Sequence, residues 1–598
     1  MLSRHPSLTL LNFFMLLFAL TAVLGVLAAY DPSLSLGALS AIFASVALYF
    51  LMAHLPRSHA ALYRIGSLTL LVAILFGLYF ITQYGYQDYP EKGGIIARLG
   101  QLTTLLPNLN GFTPHLNAAA TFLEAAAPLG LALVAMSRTR AHRIAFGLGA
   151  LVVLYAVFLT ASRGAWLALA ATSGVALALV VLARLPHRLA NILVGLGVAA
   201  IAVGLLAVFA LGPDRLPFLS STFSRASDRG LLFQNSLRLA GDYAFTGAGL
   251  GDTFAMVYAR YSLLIFVPYL TYPHNLPLSV WLNQGLLGLI ALGGIVATFY
   301  RFVNHTRRQA QPSPLFHGAW LGVTATLLHG LTDAPQYADS HWVMPMLFVC
   351  MGLAIASGRL ALRDVPQTPI TNLSNPFVSK RLIVIGAVAA IALIALFNRP
   401  IRAAWYTNLG ALEETRGELA PDLADAQRDA HFASATASYQ NALAIDPDGS
   451  NAQRRLGNLL IGLDRFEEAA PLLEAAFKRE SPYQATVKGL GLAYVWLGRT
   501  EEAARVFFAL DDLGAMAEEL MTWGSYHSEQ SRPLLAAHAY QTVYAMYPDS
   551  DNLDVWFAIA DNYLAAGQVE AARLWYNRVL ELEPGNERAR QALGAMDE

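Results

Sequence analysis

The sequence is short of charge. Asp, Glu, Lys and Arg make up only 14% of its 598 residues, against about 25% in an ordinary soluble chain. Lys+Arg number 40 and Asp+Glu 41, a formal net charge of −1, so there is no global positive excess of the kind that binds nucleic acid. Cysteine is nearly absent. Cys350 stands alone inside an apolar run, so it closes no intramolecular disulfide, offers no thiolate set for zinc, and says nothing about redox compartment. Hydrophobic residues fill 56% of the chain. This composition excludes a disordered chain and a purely soluble enzyme, and points to a polytopic membrane protein.

The balanced total hides a division. Residues 1–399 hold 24 Lys+Arg and 11 Asp+Glu, whereas residues 400–598 hold 16 and 30. Two parts of opposite sign and different hydropathy indicate a membrane domain over 1–399 and a polar domain over 400–598. A bilayer core needs about 20 apolar residues per helix. Eleven such spans are expected, near 8–29, 34–53, 62–82, 117–137, 144–160, 164–183, 189–211, 278–300, 316–332, 341–358 and 382–397. The first exceeds a signal-peptide core and reads as an anchor. Residues 99–107 are apolar but too short to cross, so they read as interfacial.

Lys and Arg in the loops set the orientation. With the N-terminus in the cytoplasm, the inner segments carry Arg4, Arg57, Arg64, Arg138, Arg140, Arg143, Arg184, Arg188, Arg301, Arg307, Arg308, Arg359, Arg363, Lys380 and Arg381. The outer loops, the longest aside, carry only Lys92, Arg98 and Arg163. An odd number of spans then puts 400–598 outside the cytoplasm, together with loop 83–116 and the long loop 212–277.

The polar domain repeats itself. Gly457–Ala470 aligns with Gly491–Ala504 at an offset of 34 residues, Ala571-Ala572 lies 68 beyond Ala503-Ala504, and Pro447, Pro482, Pro548 and Pro584 recur as helix ends. A 34-residue helix–turn–helix period with small packing residues resembles the tetratricopeptide repeat over roughly 430–595, degenerate around 511–535. Such pairs stack into an α-solenoid because each alone leaves an apolar face uncovered. The solenoid serves either as a groove for a protein or extended ligand, or as a structural cap over the outer loops.

Charges in or at the mouth of a membrane bundle are costly, so each of the few present is a functional candidate. Arg163 lies in the tight outer hairpin Thr160-Ala-Ser162-Arg163-Gly164. It either forks onto phosphate oxygens or snorkels beside Trp166. The long loop carries Arg225, Arg229 and Arg238, then the glycine-rich turn Gly247-Ala-Gly249-Leu-Gly251. Arg229, Phe233 and Leu237 share one helical face by spacing. The turn lacks the strand–turn–helix setting of a dinucleotide fingerprint, so a nucleotide site is rejected. Tyr272-Pro273-His274-Asn275-Leu276 opens a span, followed by Gly285 and Gly288. His274 has the chemistry of a general base, or else caps the helix at the interface. His329 and Asp333, at i and i+4 ahead of Pro335, could hydrogen-bond as an ion pair, either to orient a neighbour or as a plain interhelical contact. Asn117 and Glu124 are further buried polar candidates. No His/Asp/Glu set has metal-site spacing.

In this order and on one face, the Ser162-Arg163-Gly164 hairpin, the loop arginines with Gly247–Gly251, Pro273-His274-Asn275-Leu276 and His329…Asp333-Ala-Pro335 resemble the O-antigen ligase and O-antigen polymerase family of bacterial envelope proteins. That family includes pilin-type protein O-oligosaccharyltransferases. The resemblance covers roughly 8–360. It implies an all-α bundle of about eleven to twelve spans in the bacterial cytoplasmic membrane. It implies a glycan donor on undecaprenyl pyrophosphate, its tail in the membrane lipid, and a glycan, lipid or protein acceptor. By the same resemblance Arg163 and Arg229 would hold the pyrophosphate, with Arg225 and Arg238 competing for the loop position. His274 would be the catalytic base or an orienting group. Asn117, Asn275, His329 and Asp333 would support it. No cofactor, metal or nucleic-acid partner is implied; a protein partner through the repeats is. Ligase, polymerase and protein glycosyltransferase share these motifs, and the fused solenoid, able to position an acceptor, favours ligase. A transporter of lipid-linked glycan would need a polar path and paired broken helices. A scaffold would work through the repeats alone.

Overall fold

The computed structural model describes residues 6–83, 95–107, 109, 111–183, 226–365, 397–479 and 483–597. All regular elements among them are helices. They group into two compact units, 1–255 with 268–385, and 256–267 with 386–598.

The first unit is a helix bundle. Its helices are Pro6–Ala28 (α1), Leu36–His54 (α2), His59–Gln83 (α3), Ile95–Gly100 (α4), Leu116–Met136 (α5), Arg140–Leu159 (α6), Arg163–Ala183 (α7), Ala226–Asp242 (α8), Thr253–Tyr258 (α9), Leu276–Gln309 (α10), Pro314–His329 (α11) and Met344–Arg363 (α12). Eight described helices are long and apolar enough to cross a membrane. They match eight of the eleven expected spans. The expected span 316–332 is α11, at 16 residues only about 24 Å long. The span expected at 189–211, and that at 382–397 up to residue 396, lie outside the described residues. Leu16, Leu27, Leu75, Leu151, Leu167 and Leu177 are exposed. An apolar exterior of that extent would aggregate in water and is a lipid-facing surface in a bilayer.

Two features of the bundle set up the site. The first is the close pairing of α5 with α11. A Cβ on Gly318 would fall 2.6 Å from the Pro128 carbonyl oxygen, and one on Gly322 2.1 Å from that of Ala125. Without those side chains the two backbones touch, as small residues four apart permit in membranes. Polar groups on facing turns are thereby within hydrogen-bond reach.

The second is a break in α10. Gly285 has φ +68, a left-handed conformation inside the helix. The break frees backbone groups that the glycine-rich turn takes up. Ala248 N donates to Leu282 O at 2.7 Å, and Leu286 N to Ala244 O at 3.0 Å. Gly251 N donates to Asn283 Oδ1 at 2.8 Å. Gly247–Gly251 is therefore a docking turn that seats α8 and its arginines against α10, not a ligand cradle.

The second unit is built of helix pairs. They are Asn398–Leu419 with Asp425–Ile445, Ser450–Gly462 with Phe466–Arg479, Gln484–Trp496 with Thr500–Phe507, Leu513–Glu529 with Pro533–Met546, and Leu553–Ala565 with Val569–Leu582, closed by Glu587–Asp597. First helices start at Ser450, Gln484, Leu513 and Leu553, spacings of 34, 29 and 40. The irregularity falls where the sequence repeat fades. Within pairs the same lock recurs. Gly457 faces Leu473, Gly491 faces Phe507, and Gly524 faces Tyr540, each too close for a Cβ. Residues 256–267 belong to this unit. Lys488 Nζ holds Leu264 O at 2.5 Å, Arg260 pairs with Glu418, and the Tyr261 ring lies under Arg455 at 3.7 Å.

Candidate functional site

The site grows from where α10 begins and α11 ends. Asn275 caps α10 by accepting from Leu278 N at 3.0 Å, with Pro277 in the first turn. Its Nδ2 donates to Leu331 O at 2.9 Å, and Leu276 N donates to Gly330 O at 2.6 Å. The segment before α10 is thus stitched to the turn after α11. His274 has φ +50, an uncommon backbone for a residue with a side chain. Such strain persists only where surroundings over-determine it and clusters at functional sites.

Asp333 is the hub. Its side chain is 2% exposed. Oδ1 accepts from Tyr272 OH at 2.7 Å, from Ala334 N at 2.9 Å and from His274 Nδ1 at 3.1 Å. Oδ2 accepts from Asn117 Nδ2 and lies 3.9 Å from Arg229 NH2. Arg229 NH1 also donates to Thr332 O at 2.9 Å. Burial alone would raise the Asp333 pKa. Hydrogen bonds from His274 and Tyr272, with the charge of His274, outweigh it and hold the carboxyl below its usual range. The Tyr272 phenol is pushed up by burial and by Asp333. Its ring lies against His274, centroids 3.9 Å apart.

An ionised carboxylate only accepts. His274 Nδ1 must then donate to Asp333, which in the neutral ring places the lone pair on Nε2, on a side chain that is 21% exposed. A carboxylate that fixes the tautomer and direction of a histidine is a recurrent way of preparing a base.

A second pair lies beside it. His329 Nδ1 meets Glu124 Oε1 at 3.0 Å, and both side chains are buried. His329 Nε2 meets Ser162 Oγ at 3.3 Å. Gly164 packs so closely that a Cβ there would touch His329 and Thr332. The hairpin bearing Arg163 is therefore seated on the turn that carries Thr332, to which Arg229 also donates. Arg163 itself is exposed at the start of α7.

The structure thus brings Asn117, Arg229, His274, Asn275 and Asp333 together, with His329 one turn away and Arg163 on the adjoining hairpin. One expectation from spacing fails. His329 and Asp333 do not pair through their side chains, because α11 ends at His329 and the chain turns. His329 pairs with Glu124 and Asp333 with His274. The Arg229–Phe233–Leu237 face is the outer face of α8. The buried face is Leu232, Asn235, Ser236, Leu239 and Ala240. Arg238 is half-buried on α8, and Arg225 lies outside the described residues. Spacing gave no role to Tyr272, Ser162 or Thr332, although the first two lie inside the motifs. His115, at the mouth of α5, also went unread. Burial and then His274 lower its pKa against the pull of Asp333. Among the described residues no group of three or more His, Cys, Asp or Glu is arranged to hold a metal ion.

Family comparison adds to this geometry. Residues 148–293 match the model for "O-Antigen ligase", about a quarter of the chain, which takes in Arg163, Arg229, His274 and Gly285 and leaves out Asn117, His329 and Asp333. Tetratricopeptide-repeat models match 422–485, 454–514 and 528–596. No curated protein matches. Two crystal structures of MamA are similar at 17% and 19% identity, covering 31% and 27% of this chain and 92% and 95% of theirs, with TM-scores of 0.18 and 0.16.

Proposed function

From a multi-pass membrane chain with an O-antigen ligase domain and C-terminal tetratricopeptide repeats, we propose a glycosyltransferase that moves a glycan from undecaprenyl pyrophosphate to an acceptor hydroxyl on the extracytoplasmic face of the bacterial cytoplasmic membrane. The observation that carries it is the Asp333–His274 pair beside Arg229, at the start of α10, a helix long and apolar enough to cross a membrane. In this reading the acceptor oxygen attacks the anomeric carbon, and the bond from that carbon to the pyrophosphate oxygen breaks. His274 Nε2 takes the hydroxyl proton, and Asp333 stabilises the imidazolium that forms. Arg229 and Arg163 balance the charge gathering on the leaving pyrophosphate, an electrostatic contribution that is large where water is sparse.

The acceptor divides the subclasses, and the ligase form is favoured because a repeat domain fused to the enzyme gives an acceptor or partner a place to be held. The test is reconstituted transfer. Purified protein in bilayers receives undecaprenyl-pyrophosphate glycan and, in turn, a lipid A core, a second lipid-linked glycan and a pilin-type protein. Transfer without nucleotide to one of them supports the reading and names the subclass. Glycan that crosses the bilayer without leaving its lipid would replace the reading with transport.

A further inference from the structure

The repeat unit contains a cavity of about 350 Å³, within the range of small-ligand sites. We propose that it binds an uncharged sugar segment of a glycan, stacked on Trp523 and hydrogen-bonded by His527. The proposal stands on the cavity; the transfer reading supplies only the source of such a glycan.

The walls favour a sugar. Trp496, Trp523, Tyr526 and Phe266 supply aromatic surface. Trp523 and Trp496 stand at 80°, centroids 6.2 Å apart, which makes a corner rather than a flat stack. Tyr526 is 49% and Phe266 64% exposed. Pyranose rings present C–H faces that lie on such rings, while their hydroxyls reach outward for polar partners.

Those partners are present. His527 is only 6% exposed and its Nδ1 has no hydrogen-bond partner. A buried polar atom left unpaired is destabilising, and a ligand hydroxyl removes that cost. Burial and then Arg532 hold this histidine below its usual pKa, against Asp464, so the ring meets the ligand neutral. Asn458 Oδ1 is likewise buried and unpaired on the cavity wall.

The charges argue against an ionic ligand. Arg260 is taken by Glu418, Arg532 by Asp464 at 2.9 Å, and Glu519 by Lys488 at 2.6 Å. An acidic peptide or a phosphate would have to break one of these pairs, whereas a neutral sugar leaves them intact. One wall is the segment Arg260–Phe266, held by the Lys488 bond to Leu264 O. That bond, together with the Arg260–Glu418 pair, seats this wall.

Saturation-transfer NMR on the full-length protein in detergent tests this. The probes are uncharged trisaccharides of glucose, galactose, mannose, rhamnose and N-acetylglucosamine, with a tri-glutamate peptide as control. At least one sugar should receive saturation from aromatic protons. Trp523→Ala should weaken it at least tenfold, and His527→Leu, which preserves bulk without the ring nitrogens, about tenfold. Lys488→Met should also weaken it, while His274→Ala should bind as wild type even with transfer abolished. Saturation of no sugar overturns the proposal. So does binding unchanged in both His527→Leu and Trp523→Ala, or the peptide displacing the sugar.

Discussion

Asp333 shows how one side chain organises several others. A single buried carboxylate receives Tyr272, His274 and Asn117 and faces Arg229. Replacing it with Asn keeps the shape but turns one acceptor oxygen into a donor. By analogy with carboxylates that orient metal-bound histidines, loss of such a supporting partner costs roughly 10–100-fold. Asp333→Asn should lower kcat by that factor with little change in KM for the acceptor, which steady-state kinetics reads directly. The same group makes a pH prediction. In the folded protein its pKa lies below the usual value, while the unfolded chain keeps it near 3.9. Its stabilisation is therefore complete above about pH 4 and is lost as pH falls through the depressed folded value. The difference in Tm between wild type and Asp333→Asn should be constant from pH 7 to pH 5 and shrink below pH 4. A gap that widens in acid would contradict this sign. The residue types of the site could be read from the sequence, because charges are rare in apolar chains. Their pairings could not. Glu124 and His329 are separated by 205 positions, and no local period links them.

At the level of elements, the meeting of α10 with the Gly247–Gly251 turn decides where α8 stands. A Cβ on Gly285 would fall 2.0 Å from Phe245 O, and one on Gly247 2.5 Å from Leu282 O. Both positions also need positive φ. Gly285→Ala should destabilise by roughly 1–3 kcal/mol, visible as a lower Tm, and should reduce transfer by moving Arg229 even though no charged group is touched. Transfer at the wild-type rate would separate the docking turn from the site. The helices were legible because a run of about 20 apolar residues is a first-order signal. The 34-residue offset was equally plain. The kink at Gly285 was not, since a glycine in a span reads alike whether it packs, bends or does nothing. Which face of α8 is buried was not legible for a related reason. Its buried side carries Asn235 and Ser236, so polarity did not distinguish inside from outside.

Across the whole molecule, arginine distribution sets the expected topology, and the lone cysteine makes it measurable. Cys350 is buried and should stay silent to maleimide. Exposed Ser58 and Ser550 lie on opposite sides in the orientation read from the loops. In intact spheroplasts an impermeant maleimide should label Ser550→Cys at once and Ser58→Cys only after permeabilisation. The reverse pattern would invert the protein and move His274 to the cytoplasmic face. That residues 256–267 group with the repeats could not be foreseen from the sequence. The contacts of Arg260 and Leu264 lie more than 150 positions away, beyond any repeat or hydropathy pattern.

The central claim is that His274, aimed by Asp333, performs glycan transfer. The most direct measurement is the transfer rate of wild type, His274→Ala, Asp333→Asn and the double variant, from lipid-pyrophosphate-linked donor in bilayers. The account predicts that His274→Ala loses at least about 10² in rate and that adding Asp333→Asn costs little more, because the carboxylate acts through the histidine. Full activity in His274→Ala, or losses that simply multiply, would contradict it.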